Sequence, residues 1–111
     1  MNLIELQPIY QGETAFETEL DFYEDISGEE VAIDFTGYTA RMNFVRHEKV
    51  FKEFSTSDGT LELEGNIIRI KEFVADIPYG IYDFDFELTK GDVITPGVAA
   101  GQIEILNPKT K

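Results

Sequence analysis

The residues best placed to do chemistry are one histidine and two rows of carboxylates. His47 lies in Arg46-His47-Glu48-Lys49. An imidazole can act as a general base near neutral pH, but it needs an orienting carboxylate and a nucleophile or metal beside it. This polar run reads instead as a surface turn between two strands. Asp83, Asp85 and Glu87 alternate with Tyr82, Phe84, Phe86 and Leu88. Hard cations such as calcium take carboxylate oxygens. Alternate residues of one strand stand side by side, however, and do not wrap around an ion. No Asp-x-Asp-x-Asp-Gly loop occurs, so the row reads as a solvated outer face. Glu17, Glu19 and Asp21 repeat the pattern between Phe16, Thr18, Leu20 and Phe22. Paired carboxylates also hydrolyse glycosides. A chain this short leaves little room for a deep cleft, and it has no tryptophan to form a sugar platform. The absence of cysteine excludes disulfides, cysteine nucleophiles and thiolate metal sites. The glycines fall singly at turns, so no phosphate-cradling loop is present. The expectation is a non-enzymatic chain with no catalytic residue, metal or cofactor.

The elements that carry these rows are strands. At 111 residues the chain fits one domain, residues 1–111, with one modest core. Hydrophobic residues make up 42%, too many for an acidic disordered tail. The aromatic residues are all Phe and Tyr, which favours strands. The alternation predicts strands over 16–22, 38–44 and 82–88, with a less regular one over 50–54. Leu61 and Leu63, then Ile68 and Ile70, flank Glu64-Gly65-Asn66 as a tight hairpin. Residues 23–30 read as a loop around Ser27-Gly28, and Ser57-Asp58-Gly59 as a turn. Lys90-Gly91-Asp92 closes one strand and opens the next, Val98 to Leu106, in which Gly101 is expected to mark a bulge. Residues 71–76 offer at most one or two helical turns. Tyr38, Met42 and Phe44 are expected to meet Tyr82, Phe84 and Phe86 across the core as packing residues, not as a ligand-binding stripe. Seven or eight short strands with frequent turns point to an all-β sandwich or small barrel.

Charge narrows the partners. The net charge is −13. Residues 1–40 carry −10, residues 41–71 carry +1 and residues 72–111 carry −4. Such a surface repels phosphates, so neither nucleic acid nor an anionic membrane is an expected partner. No apolar run approaches the roughly 18 residues of a membrane helix. The N-terminus lacks the basic flank and apolar stretch of a signal peptide. Two carboxylate rows on neighbouring strands would repel. They are therefore expected to lie apart, to meet bases, or to be neutralised by a partner.

Four segments in order carry a resemblance. They are Ile9-Tyr10-Gln11-Gly12-Glu13-Thr14, Asp34-Phe35-Thr36-Gly37-Tyr38-Thr39-Ala40-Arg41-Met42, Phe54-Ser55-Thr56-Ser57-Asp58-Gly59, and Ile77-Pro78-Tyr79-Gly80-Ile81-Tyr82-Asp83-Phe84-Asp85-Phe86-Glu87-Leu88-Thr89. Their order and spacing resemble a small Ig-like domain of bacteriophage and prophage structural proteins, best known at the N-terminus of the siphophage upper baseplate protein. The resemblance spans residues 9–107. Lys71-Glu72-Phe73-Val74-Ala75-Asp76 departs from it, being shorter than the family's Ala/Glu-rich turn.

The resemblance implies a single Ig-like antiparallel β-sandwich of about seven to eight strands. It also implies a virion structural protein of the tail or baseplate, or of the head, made in the host bacterial cytoplasm. Its partners would be other virion proteins, bound through sheet edges and loops, with several copies in a symmetric assembly. The near-neutral 41–54 stretch, with Arg41, Arg46, Lys49 and Lys52, is the expected contact surface; a simple mixed surface is the alternative for these residues. The second functional reading is a soluble acidic inhibitor or nucleic-acid mimic, whose carboxylates occupy a basic groove on another protein.

Overall fold

The computed structural model describes residues 2–110, with side chains over 4–95 and 99–109. Met1 and Lys111, the two ends of the expected domain, lie outside the described residues. In chain order the strands are β1 (Asn2–Glu5), β2 (Ile9–Tyr10), β3 (Thr14–Ala15), β4 (Thr18–Asp21), β5 (Tyr23–Ile26), β6 (Glu29–Ala32) and β7 (Thr39–Arg46). They continue as β8 (Lys49–Ser55), β9 (Leu61–Glu64), β10 (Ile67–Ile70), β11 (Phe73–Val74), β12 (Gly80–Lys90) and β13 (Val93–Leu106). The fold is all-β, with several sheets and no α-helix among the described residues.

The largest sheet runs β1–β13–β12–β7–β8, with β2 also on β13. β1 and β2 lie parallel to β13, while the other described pairs are antiparallel. A second sheet runs β4–β10–β9. β3 pairs with β11, and β5 with β6, as separate two-stranded ladders.

Period-two patterning explains which faces are buried. β7 buries Ala40, Met42 and Phe44, and β12 buries Tyr82, Phe84, Phe86 and Leu88. Leu61, Ile68 and Ile70 of the second sheet join them in one cluster with Phe22, Phe35 and Phe54. Phe44 is the hub: its ring centroid lies 5.0 Å from Phe54, 5.8 Å from Phe73, 6.1 Å from Phe84 and 6.4 Å from Tyr82. Burying each such ring contributes about 1.5–3 kcal/mol. No charged side chain lies in the core among the described residues.

Several expectations change at this level. The described residues form thirteen strands where seven or eight were expected, because short ladders form where the sequence shows only loops. The first clear strand starts at Thr18, and Phe16 is 81% exposed. Ala15 belongs to the β3–β11 ladder, so the chain breaks between the two pairings and the alternation does not carry back to Phe16. The loop over 23–30 is largely the β5–β6 hairpin. Residues 71–76 are extended around β11, with no helical turn. Val93, rather than Val98, opens the last strand.

Gly101 is not at a bulge. The register shift between β12 and β13 lies at Phe86/Leu88, whose partners are Ala99 and Thr95. Met42 and Phe44 do not face Tyr82, Phe84 and Phe86 across the core but sit beside them in the same sheet, Met42 directly opposite Phe86. Alternation shows that a face is buried, not which sheet carries it. Phe22, Phe35, Phe73 and the aliphatic residues of β9 and β10 supply the facing layer.

Candidate protein-interaction surface

β8 forms one border of the large sheet, and the expected basic residues lie on and beside it. They do not converge. Arg41 projects from the far end of the β7–β8 ladder, opposite Ser55, and its Nη2 donates to Glu87 Oε1 at 3.1 Å. Arg46 and Lys49 are cross-strand neighbours around the turn. Arg46 Nη1 donates to the Tyr79 carbonyl at 2.9 Å, with its guanidinium 5.8 Å from the Tyr82 ring centroid. A Cβ on Gly80 would come within 2.5 Å of that Nη1, and Gly80 has φ 145°. The positive φ is what favours glycine there, since the Arg46 guanidinium is the end of a flexible side chain and can move aside.

Lys52 lies opposite Phe44 at the margin of the core. Its Nζ meets Asp76 Oδ1 at 3.0 Å and stands 5.8 Å from the Phe73 ring centroid. The hydrogen bond from Lys52 holds the Asp76 carboxyl below its ordinary pKa. Lys49 is exposed, with Nζ 5.5 Å from the Phe51 ring centroid. Lys49, Val50 and Glu53 are thus the exposed side chains of this border, while the other three cations hold the fold's own parts together.

His47 and Glu48 form the two-residue turn between β7 and β8, with φ 54° and 63°. Both central residues are left-handed, as in a type I′ turn, although neither is glycine. The histidine is exposed. No group of three or more His, Asp or Glu side chains among the described residues is arranged to hold a metal ion.

The two carboxylate rows lie on different sheets. Asp83, Asp85 and Glu87 line the outer face of β12, where Asp83 accepts a hydrogen bond from Gln102 Nε2 at 2.8 Å and Glu87 meets Arg41. On the other sheet, β10 sets Arg69 between Glu19 and Glu62. Arg69 Nη2 reaches Glu19 Oε2 at 2.6 Å and Nη1 reaches Glu62 Oε1 at 2.9 Å. Glu64 and Glu17 lie at 3.5 and 3.7 Å, and Lys71 Nζ meets Glu17 Oε1 at 2.7 Å. So Glu17 and Glu19 of this row meet bases, one of the expected outcomes, from Arg69 on the neighbouring β10 and Lys71 just beyond its end.

Two turns and a corner fix the loops of this scaffold. Asp34 accepts from the Thr36 hydroxyl at 2.7 Å and its N–H at 3.0 Å, just before Gly37 at φ 85°. Asp58 accepts from the Thr60 hydroxyl and N–H around Gly59 in the same way. These bonds lower both carboxyl pKa values. At the start of β12 the buried Tyr82 hydroxyl donates to the Pro78 carbonyl at 2.5 Å. Tyr82→Phe should therefore lower stability by about 1 kcal/mol, read as a shift of the urea midpoint with an unchanged slope. An unchanged midpoint would mean that the corner bond adds nothing.

Sequence reasoning missed the solvent-exposed ribbon β5–β6, which carries Tyr23, Ile26 and Val31. Its signal is Ser27-Gly28, at φ 53° and 86°, a left-handed pair suited to a two-residue hairpin turn. It also missed the Arg69 cluster, which depends on strand register. Comparison of the chain with protein-family models, with curated proteins and with solved structures finds no match.

Proposed function

We propose that the chain is an Ig-like β-sandwich serving as a non-enzymatic attachment module in a phage or prophage virion, within the tail, baseplate or head. The carrying observation is that two of the segments bearing the resemblance become neighbours. Thr39–Met42 of β7 pairs with Phe86–Thr89 of β12, Met42 opposite Phe86 and Thr39 opposite Thr89. The strand order supports the Ig-like reading: β4–β10–β9 corresponds to strands B, E and D, and β13–β12–β7–β8 to G, F, C and C′. The Tyr82–Pro78 bond falls where such domains carry a tyrosine corner, at the entry to strand F.

Such a module binds through main-chain edges and loops, and symmetric repetition strengthens each weak contact. The β8 border, with Lys49 exposed, fits that use. An acidic inhibitor or nucleic-acid mimic is the weaker reading, since the row on β4 is already matched by Arg69 and Lys71. Mass spectrometry of purified particles from the encoding phage or prophage tests the proposal. The chain is expected in fixed ratio to the other structural proteins. Its absence from particles would overturn the virion reading.

A further inference from the structure

We propose that the β5–β6 ribbon, with the tip of the β12–β13 hairpin beside its root, is the docking element of this module. Its occupant is a basic protein surface offering a strand edge in which Lys or Arg side chains alternate with apolar ones. The inference rests on the attachment reading and adds to it the place and the chemistry of the partner.

Among the described residues β5 pairs only with β6, so each strand has one unpaired main-chain edge. All eight strand residues are exposed. A two-stranded ribbon open on both faces is marginally stable in water. Free edges are usually guarded by lysine. Residues 23–32 contain no base. They contain Glu24, Asp25, Glu29 and Glu30, and Asp25 lies directly opposite Glu30. Facing like charges destabilise a ladder, and cations supplied by a partner would reverse that cost.

The same end of the molecule is apolar where it is not acidic. Phe22, just before β5, packs on Phe35, and Phe35 on Tyr38. Lys90 Nζ stands 5.2 Å from the Tyr38 ring centroid, which links the β12–β13 tip through Tyr38 and Phe35 to Phe22 at the base of the ribbon. Tyr23, Ile26 and Val31 on the ribbon and Val93 and Ile94 at the tip make up five of the ten large apolar side chains exposed among the described residues. Each ribbon face mixes both characters: Tyr23 with Asp25 and Glu30, and Ile26 and Val31 with Glu24 and Glu29. A second copy of this chain would bring four more carboxylates against these four. A cationic strand with alternating apolar residues satisfies the edge, the apolar groups and the charge together.

The probe is a synthetic peptide of alternating Lys and Val, with a Glu-Val peptide as control, titrated into the isotope-labelled full chain. Amide shift changes are expected over residues 23–32 and 89–95 with Lys-Val, and none with Glu-Val. Replacing Tyr23, Ile26 and Val31 together by Ser should weaken binding by about tenfold or more. Replacing Glu24, Asp25, Glu29 and Glu30 together by Lys should reverse the preference towards Glu-Val, a gain that misfolding cannot imitate. No binding at about 1 mM peptide, changes centred on the Asp83–Glu87 face, or unaltered binding by the Ser variant would each overturn the proposal. Ribbon-dependent self-association in sedimentation would also overturn it, because the occupant would then be a second copy. Particles separate the two readings. Normal incorporation of the Ser variant refutes the ribbon alone, whereas absence of the wild-type chain refutes the virion reading and leaves the peptide titration to decide the ribbon.

Discussion

Replacing Gly101 by alanine is expected to loosen β1 from the large sheet and to lower stability by about 3 kcal/mol. Gly101 pairs with Ile4 on one side and with Phe84 on the other. A Cβ built there overlaps the Ile4 carbonyl oxygen and lies 2.9 Å from Phe84 Cζ. The ring of Phe84 is buried and the oxygen belongs to main chain, so neither can turn aside as a flexible side chain would. Relief requires β1 to move as a unit, with loss of its parallel pairing from Asn2 to Glu5. Hydrogen exchange should show early loss of protection at residues 3–5 and 100–102, and the urea midpoint should fall. Gly91→Ala is the comparison: no atom lies within 4 Å of its added Cβ, so the cost there is the φ of 60° alone. A glycine kept for a bulge would leave β1 protected after substitution. Unchanged exchange in Gly101→Ala would therefore refute close approach as the reason for this residue.

How much of this was legible depends on the range of the interaction concerned. Alternation over 82–88 placed Tyr82, Phe84, Phe86 and Leu88 on one buried face and the carboxylates on the other, because a strand's faces are fixed by local geometry. The Glu64-Gly65-Asn66 turn was equally local, with Gly65 at φ 59° joining β9 to β10. What alternation cannot carry is the neighbour. Gly101 reads as a bulge until Ile4, nearly the whole chain away, is placed beside it. Met42 looks as suited to facing Phe86 as to flanking it. The ribbon escaped notice because half of its strand residues are acidic, and such residues are poor strand formers. Its turn was visible, but its ladder was not. The basic residues show the same limit: Arg41, Arg46, Lys49 and Lys52 are close in sequence, yet pairing sends them to Glu87, the Tyr79 carbonyl, the Phe51 ring and Asp76.

Arg69→Met should bring the second large loss, and its signature is in pH. The substitution keeps an aliphatic stem over β10 and removes the guanidinium that stands among Glu17, Glu19, Glu62 and Glu64. β9 and β4 with its approach then present carboxylates to one another across β10, with Lys71 alone to offset them among the described residues. Near pH 7 the melting temperature should fall by several degrees. Hydrogen bonding from Arg69, then the charge of Lys71, holds the Glu62 carboxyl below its ordinary pKa. The folded chain therefore binds that proton less readily than the unfolded chain does. The stabilisation is complete above the ordinary glutamate range, about pH 4.5, and fades as pH falls through the lower folded value. Arg69 and Lys71 are shifted upward by the same contacts, first by Glu19 and by Glu17 respectively, so their share is lost only in strong alkali. The deficit of the variant should consequently be widest at neutral pH and narrow towards about pH 4, where protonation relieves the repulsion. Added salt near 1 M should narrow it too, since these groups face solvent. Lys71→Met should show a smaller deficit of the same form, since the ion pairs of Lys71 among the described residues are those with Glu17 and Glu62. A deficit independent of both pH and salt would assign the loss to packing of the arginine stem and leave the carboxylates of this face without mutual influence.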